Sequence, residues 1–207
     1  MGKYSFKFFF NLLLLLWIVS TIAACKSPEK NGLPHIIIET GYGDIEIELY
    51  TDKAPLTANA FLRYIDSGYY DQSNFYRVLN MYNQPSNAPK AFLIQGGIWK
   101  SNNELAQILP GIPHESTKQT GILHKEGTIS MARNEPGSAG PEFFIMVEDE
   151  TGFDYGGENM GDGLGFAAFG SVVRGMPIVR KIHNLKEANQ YLQPPFIYIL
   201  SEESNQY

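Results

Sequence analysis

Residues 127–133 and 141–147, Gly127-Thr128-Ile129-Ser130-Met131-Ala132-Arg133 and Pro141-Glu142-Phe143-Phe144-Ile145-Met146-Val147, decide the reading of the fold. Each holds a short apolar run, 128–132 and 143–147, and Asn134, Pro136, Gly137, Gly140 and Pro141 crowd the space between them. Runs of this length, bounded by turn residues, read as strands. Successive side chains of a strand point to opposite faces, so Phe143 and Phe144 cannot both belong to one core, and one of them faces outward.

Toward the N-terminus the same texture continues. Asn74-Phe75-Tyr76-Arg77-Val78-Leu79 and Phe92-Leu93-Ile94-Gln95-Gly96-Gly97 supply further strands over 75–79 and 91–95. Between them the segment from Asn80 to Lys90, rich in Asn and Pro, reads as a loop insertion. Farther upstream, Ile36-Ile37-Ile38 is followed by the turn Gly41-Tyr42-Gly43-Asp44, and Ile45, Ile47 and Leu49 then alternate with Glu46 and Glu48. That period of two predicts a hairpin. Pro55 at a first helical turn, Ala58, Phe61, Leu62 and Ile65 at helical spacing, and a terminating Gly68 predict an amphipathic helix.

Toward the C-terminus, 152–165 (GFDYGGENMGDGLG) is glycine-rich. It lacks the Lys-Ser/Thr ending of a phosphate loop, carries acidic residues, and does not match the spacing of an EF-hand, so it reads as a surface loop. Residues 167–173 predict another strand, Met176 to His183 a second helix with Pro177 early, and 196–200 a last strand. Many strands with two well-separated helices suggest a mainly β fold: a closed antiparallel barrel with the helices as plugs, since closure removes exposed edges.

In this order, F-x-R-V at Phe75–Val78, F-x-x-Q-G-G at Phe92–Gly97, G-T-I-x-M-A-R at Gly127–Arg133 and the paired Phe143-Phe144-Ile145 resemble the cyclophilin family of peptidyl-prolyl cis/trans isomerases. Gly43-Asp44-Ile45, Ala54-Pro55, Phe169-Gly170-Ser171-Val172-Val173 and Gly175-Met176 extend the resemblance from about residue 36 to 200. It implies an eight-stranded closed barrel capped by two α-helices, with the groove outside the barrel and no cofactor. It also implies that Arg77, Phe92, Gln95 and Phe144 are catalytic, and that Leu93, Met131, Ala132, Arg133, Glu142 and Phe166 bind a proline-containing polypeptide. Three positions depart from the family pattern: Tyr76 stands where histidine is usual, Glu142 where glutamine is usual, and Phe166 where another histidine is frequent. Glu142 places a negative charge near Arg77 or the substrate. A groove with its catalytic power lost would instead make a non-catalytic binder or chaperone, although retention of Arg77 and Gln95 argues for the enzyme. The four histidines, His35, His114, His124 and His183, lack metal-ligand spacing, which argues against a metalloenzyme or hydrolase.

The first 24 residues form a leader: Lys3 and Lys7, then an apolar run from Phe8 to Ala24. Ile22-Ala23-Ala24-Cys25 resembles the lipobox of bacterial lipoproteins, in which the cysteine becomes the lipidated first residue. The expectation is a signal peptide over 1–24, a lipidated Cys25 with a flexible polar tether to residue 32, and a single isomerase domain over 33–207, exported and lipid-anchored in the bacterial cell envelope on the periplasmic or outer-membrane face. Cys25 is the sole cysteine, so stability rests on the core rather than on disulfides, and no thiolate metal site is available. The whole chain has net charge −6, and loss of Lys3 and Lys7 leaves 14 basic against 22 acidic residues. Nucleic acid is therefore not an expected partner; the expected form is a monomer.

Overall fold

The computed structural model describes residues 32–193 and the backbone of one further strand, residues 197–204. The leader, Cys25 and the tether as far as residue 31 lie outside the described residues. From Leu33 onward the described residues form one unit.

The chain opens with the expected hairpin, β1 (His35–Thr40) and β2 (Gly43–Leu49), in antiparallel register with Ile36 opposite Ile47 and Ile38 opposite Ile45. All four of those isoleucines are buried, as the alternating pattern requires. Next comes α1 (Pro55–Asp66), with Pro55 in its first turn, burying Thr57, Ala58, Ala60, Phe61 and Tyr64. Ala54 gives this helix no side-chain cap. The buried carboxylate of Glu115 does so instead, accepting from Thr57 N and Thr57 Oγ1, each at 2.7 Å, and from Leu56 N at 3.2 Å.

β3 (Ser73–Leu79), β4 (Leu93–Gly97), β5 (Thr128–Met131), β6 (Phe143–Met146) and β7 (Ala167–Arg174) follow. Then come α4 (Met176–His183), the two-residue strands β8 (Glu187–Ala188) and β9 (Tyr191–Leu192), and β10 (Ile197–Ser204). The hydrogen-bonded order is β10-β1-β2-β7-β5-β6-β4-β3-β9-β8, and β10 also pairs with β3 through Ile197–Phe75, Tyr198–Asn74 and Ile199–Ser73. All strand pairings are antiparallel. The fold is thus mainly β.

Two helices were expected, and the described residues hold four. The added ones are short: α2 (Asn103–Ile108), whose N-terminus is capped by the Asn102 side chain, and α3 (Thr117–Thr120), closed by a Ser116–Gln119 capping box. Neither is long enough to show an apolar stripe, and α2 buries no residue, so periodicity could not reveal them. The 80–90 insertion forms turns without helix or strand.

Inside the sheet, Phe61 of α1 meets Tyr70, Phe143 and Phe169 at centroid distances of 5.1, 5.4 and 5.1 Å. Phe75 reaches Phe143 at 5.8 Å. Edge-on and tilted rings of this kind add favourable energy beyond the area they bury. A second, smaller cluster of Ala91, Leu93, Phe144, Met146 and Phe153, with Leu79, Ala132 and Phe166 against it, sits apart from this core. Phe143 therefore belongs to the main core and Phe144 to the second cluster, the division that strand alternation predicts.

Candidate active site

The second cluster floors a cleft of about 600 Å³, whose lining includes Tyr76, Arg77, Leu93, Gln95, Ala132, Arg133, Glu142, Phe144 and Phe166. Its position follows from strand geometry. Along β4, Leu93 and Gln95 face the cleft while Ile94 faces the core. On β6, Phe144 stands opposite both Gln95 of β4 and Ser130 of β5. On β3 the alternation breaks: Phe75 and Val78 enter the core, yet the neighbours Tyr76 and Arg77 both line the cleft. The β3–β4 register shifts between Phe75 and Arg77, leaving Tyr76 as the extra residue of a bulge. A bulge re-aims side chains, and here it brings two adjacent ones to one face.

Arg77 stands opposite Gln95 and donates from Nη1 to Gln95 Oε1 at 3.0 Å. Gln95 Nε2 in turn donates to the Tyr76 hydroxyl at 2.8 Å, and that hydroxyl donates to Glu142 Oε2 at 2.6 Å. The other oxygen, Glu142 Oε1, accepts from the backbone N–H of Ile98 at 2.9 Å and of Trp99 at 2.8 Å. Four side chains are thus linked in one chain of hydrogen bonds. Burial pushes the Glu142 carboxyl up to about 7, against the pull of the bonds from Tyr76, Trp99 and Ile98. Burial, with the charge of Glu142 added, raises the Tyr76 hydroxyl far above the tyrosine range, so it remains a donor. Gly97 makes room for the carboxylate: a Cβ there would fall 2.5 Å from Glu142 Oε2, and its φ of +142° is one that side-chain-bearing residues avoid.

Phe144 forms the floor, with Phe166 edge-on to it at 5.3 Å and Phe153 tilted at 5.5 Å. Behind it the ring of His124, buried, stacks at 6.1 Å. His124 Nδ1 meets Asp154 Oδ1 at 2.8 Å and Nε2 meets Ser130 Oγ at 3.1 Å. Arg133 lines the cleft, yet its guanidinium is committed to the glycine-rich loop. Nη1 and Nη2 donate to the two oxygens of Asp162 at 2.7 and 2.9 Å, Nε donates to Gly165 O at 2.9 Å, and the group lies 5.5 Å from the Phe166 ring centroid. The hydrogen bonds from Arg133, with the Leu164 N–H beside them, pull the Asp162 carboxyl down to about 2.

Of the residues expected at the site, the structure brings Arg77, Gln95, Phe144, Leu93, Ala132, Arg133, Glu142 and Phe166 to one cleft. Two lie elsewhere. Phe92, beside Ala91 and Leu93, points away from the cleft, with its ring 6.4 Å from His183. Met131 is fully buried in the main core. Both departures follow from alternation along a strand whose neighbours, Leu93 and Ala132, face the cleft. Sequence reasoning missed Trp99, Tyr191, Gln84 and Gln190. Trp99 and Tyr191 line the cleft and are half-exposed, and Gln84 and Pro89 carry the 80–90 insertion along its mouth. Tyr191 stacks on Tyr76 at 6.5 Å. Its hairpin, with strands of two residues, is too short for any period to announce.

A guanidinium fixed beside an aromatic pocket can hydrogen-bond a carbonyl or a pyramidal nitrogen while an apolar ring rests on the floor. Among the described residues, no group of three or more His, Cys, Asp or Glu is placed to hold a metal ion.

Comparison with known proteins agrees with this chemistry. The family model described as cyclophilin type peptidyl-prolyl cis-trans isomerase/CLD matches residues 35–202. Peptidyl-prolyl cis-trans isomerase A of Dickeya dadantii (strain 3937) is 34% identical over 156 residues, which are 75% of this chain and 74% of that protein. Peptidyl-prolyl cis-trans isomerase B of Escherichia coli (strain K12) is 35% identical over 155 residues, 71% of this chain and 82% of that one. In fold, the chain superposes on a Cryptosporidium parvum cyclophilin type isomerase, solved in the presence of the dipeptide Ala-Pro, with a TM-score of 0.64 at 20% identity over 83% of this chain and 99% of the other. With the family model spanning nearly the whole described domain and both bacterial relatives matched over most of their length, the chain belongs to the cyclophilin-type peptidyl-prolyl cis-trans isomerases.

Proposed function

We propose that this isomerase turns X-Pro bonds of exported proteins as they fold, held to the bacterial cell envelope by lipid on Cys25. The observation that carries the catalytic part is Arg77, fixed by hydrogen bonds at the rim of a pocket floored by Phe144 and walled by Phe166 and Leu93. Amide resonance gives the X-Pro bond a barrier of about 20 kcal/mol and an uncatalysed time of tens of seconds. As the amide twists, its nitrogen regains a lone pair, and a guanidinium hydrogen-bonds the twisted state better than the planar one. A 10⁵-fold acceleration requires about 7 kcal/mol, which a charged hydrogen bond and a water-poor aromatic pocket can supply together. In this reading Gln95 orients Arg77 and meets the substrate carbonyl, and Phe144 grips the proline ring while the chain on one side rotates.

The sheet, on the same reading, is a closed eight-stranded barrel: β10 pairs with both β1 and β3, which supports a ring from β1 through β2, β7, β5, β6, β4 and β3 back to β10. The protein acts as a monomer, with the cleft open to a chain segment. The lipid anchor rests on the sequence Ile22-Ala23-Ala24-Cys25; a cysteine that carries more than one acyl chain holds a protein at a bilayer by burial of their methylene groups.

Exchange between the cis and trans signals of a short X-Pro peptide, followed by NMR with the chain from Ser27 onward, tests catalysis. Acceleration at substoichiometric protein is expected, and binding without acceleration would make the protein a proline-peptide chaperone. For the anchor, Cys25→Ser is expected to move the protein from the membrane to the soluble fraction. A processed variant that stays membrane-bound would overturn the lipid reading.

A further inference from the structure

The hairpin β8–β9 turns through Asn189 and Gln190, with φ of +53° and +75°. Two central residues at positive φ are what a two-residue type I′ hairpin needs, and glycine is the favoured occupant of the second position. A glutamine there is held in a strained backbone state, and such strain persists where the surrounding structure makes use of it.

The Gln190 side chain shows what uses it. Its Oε1 accepts from both Nε and Nη2 of Arg77, at 3.0 and 2.6 Å. Its Nε2 donates to the carbonyl of Asn83 in the 80–90 insertion at 2.9 Å. The backbone is pinned as well: Gln190 O accepts from Val78 N at 2.8 Å, and Gln190 N donates to Glu187 Oε2 at 2.6 Å. β9 lies against β3 at Arg77 itself, through the Arg77–Tyr191 pair. The guanidinium is therefore gripped from two directions, Nε and Nη2 by Gln190 and Nη1 by Gln95. Of its five N–H groups, one on each terminal nitrogen is left for a substrate.

We propose that Gln190 is a positioning residue for Arg77: it clamps one edge of the guanidinium so that the two free N–H groups point into the cleft before substrate arrives. Arg77 carries a long side chain with several rotatable bonds, and free rotamers would have to be frozen anew in each turnover. A preset donor acts in the twisted state without reorganisation, so the effect falls on turnover rather than on affinity. Gln190 also joins the Asn80–Lys90 insertion to the reaction centre through Asn83, tying the hairpin and the insertion into one support.

The proposal rests on Arg77 being the catalytic arginine, and the test separates the two. Isomerase exchange rates and peptide affinity are measured for the full chain and for Gln190→Gly, Gln190→Glu, Asn189→Gly and Arg77→Ala. Gln190→Gly relieves the turn and removes the clamp; kcat is expected to drop about tenfold, with KM changed less than about twofold and Tm within a few degrees. Gln190→Glu, which keeps an acceptor for Nε and Nη2, is expected to recover most of that loss. Asn189→Gly relieves the same turn, leaves the clamp in place and is expected to keep full activity. Full activity in Gln190→Gly while Arg77→Ala is dead would overturn the clamp alone, and so would a Gln190→Glu no better than the glycine variant. Full activity in Arg77→Ala would overturn the assignment of Arg77 on which the clamp depends.

Discussion

The Tyr76 hydroxyl donates to Glu142 Oε2 across 2.6 Å, so two departures from the family pattern form one unit. Above about pH 7, where Glu142 is ionised, its carboxylate can only accept, which commits the hydroxyl proton to Glu142 and leaves the tyrosine oxygen to accept from Gln95 Nε2. The amide of Gln95 is thereby oriented with its oxygen toward Arg77. The negative charge expected to disturb Arg77 or the peptide is instead satisfied by Tyr76 and two backbone N–H groups.

That buried carboxyl should be visible in stability. Glu142 titrates near 7 in the folded chain against an ordinary value of 4.5, so between those values the folded chain holds a proton that the unfolded chain releases. Stability from this group is therefore full below the unfolded value and is lost as pH rises through the folded one, a contribution of at most about 3 kcal/mol. Glu142→Gln removes it. The expected outcome is that Tm of the variant minus Tm of the wild type increases from about pH 5 to about pH 8, read by thermal unfolding in buffers of matched ionic strength. A difference that stays flat across that range would count against a buried, proton-holding Glu142.

Arg77→Ala is expected to lower isomerase activity at least a hundredfold with an unchanged melting curve. The side chain is partly buried and lies in the cleft rather than in the core, so in the proposed role truncation deletes a transition-state donor and leaves packing alone. A loss of only a few-fold in a well-folded variant would remove Arg77 from the catalytic role.

How much of this was legible beforehand depended on how local the signal was. The β1–β2 hairpin, helices α1 and α4, and the division of Phe143 from Phe144 follow from periods of two or 3.6 written in neighbouring residues. The Glu115 cap on α1 is not local, because it joins residues 58 apart in sequence. The grip of Gln190 on Arg77 spans 113 residues and hangs from strands of two residues. Phe92 was misplaced because motif order shows which residues neighbour the site but not which face each takes. The bulge at Tyr76, which sets the faces of β3, has no mark in the sequence.

Arg133 is expected to act on the fold more than on the substrate. Its side chain is almost wholly buried and spends its donors on Asp162 and Gly165, closing the glycine-rich loop against Phe166. Arg133→Ala should lower Tm by about 5 °C or more and raise hydrogen exchange in residues 152–165, because removing the cation orphans the buried Gly165 carbonyl. An unchanged Tm with a large rise in KM would instead make Arg133 a substrate contact.

Ser130, His124 and Asp154 stand in hydrolase order, serine to imidazole at 3.1 Å and imidazole to carboxylate at 2.8 Å. Geometry of this kind makes a nucleophile only where a substrate carbonyl can reach the hydroxyl. Ser130 is 0% exposed and His124 1%, with the ring of His124 flat against Phe144. With Nδ1–H given to Asp154, Nε2 is left to accept the Ser130 hydroxyl, so both ring nitrogens and the buried hydroxyl have their partners. The trio therefore acts as a polar brace behind the Phe144 floor of the cleft. A fluorophosphonate probe is expected to leave Ser130 unlabelled, and Ser130→Ala to keep isomerase activity within about threefold. His124→Ala should do far more, because it empties space beneath Phe144 and Phe153 and leaves Asp154 Oδ1 only the backbone N–H of residue 124: a loss of about 2–4 kcal/mol in stability, with KM for the proline peptide raised as the floor slackens. Labelling of Ser130 in the folded protein would show that the hydroxyl is reachable and reopen the hydrolase reading.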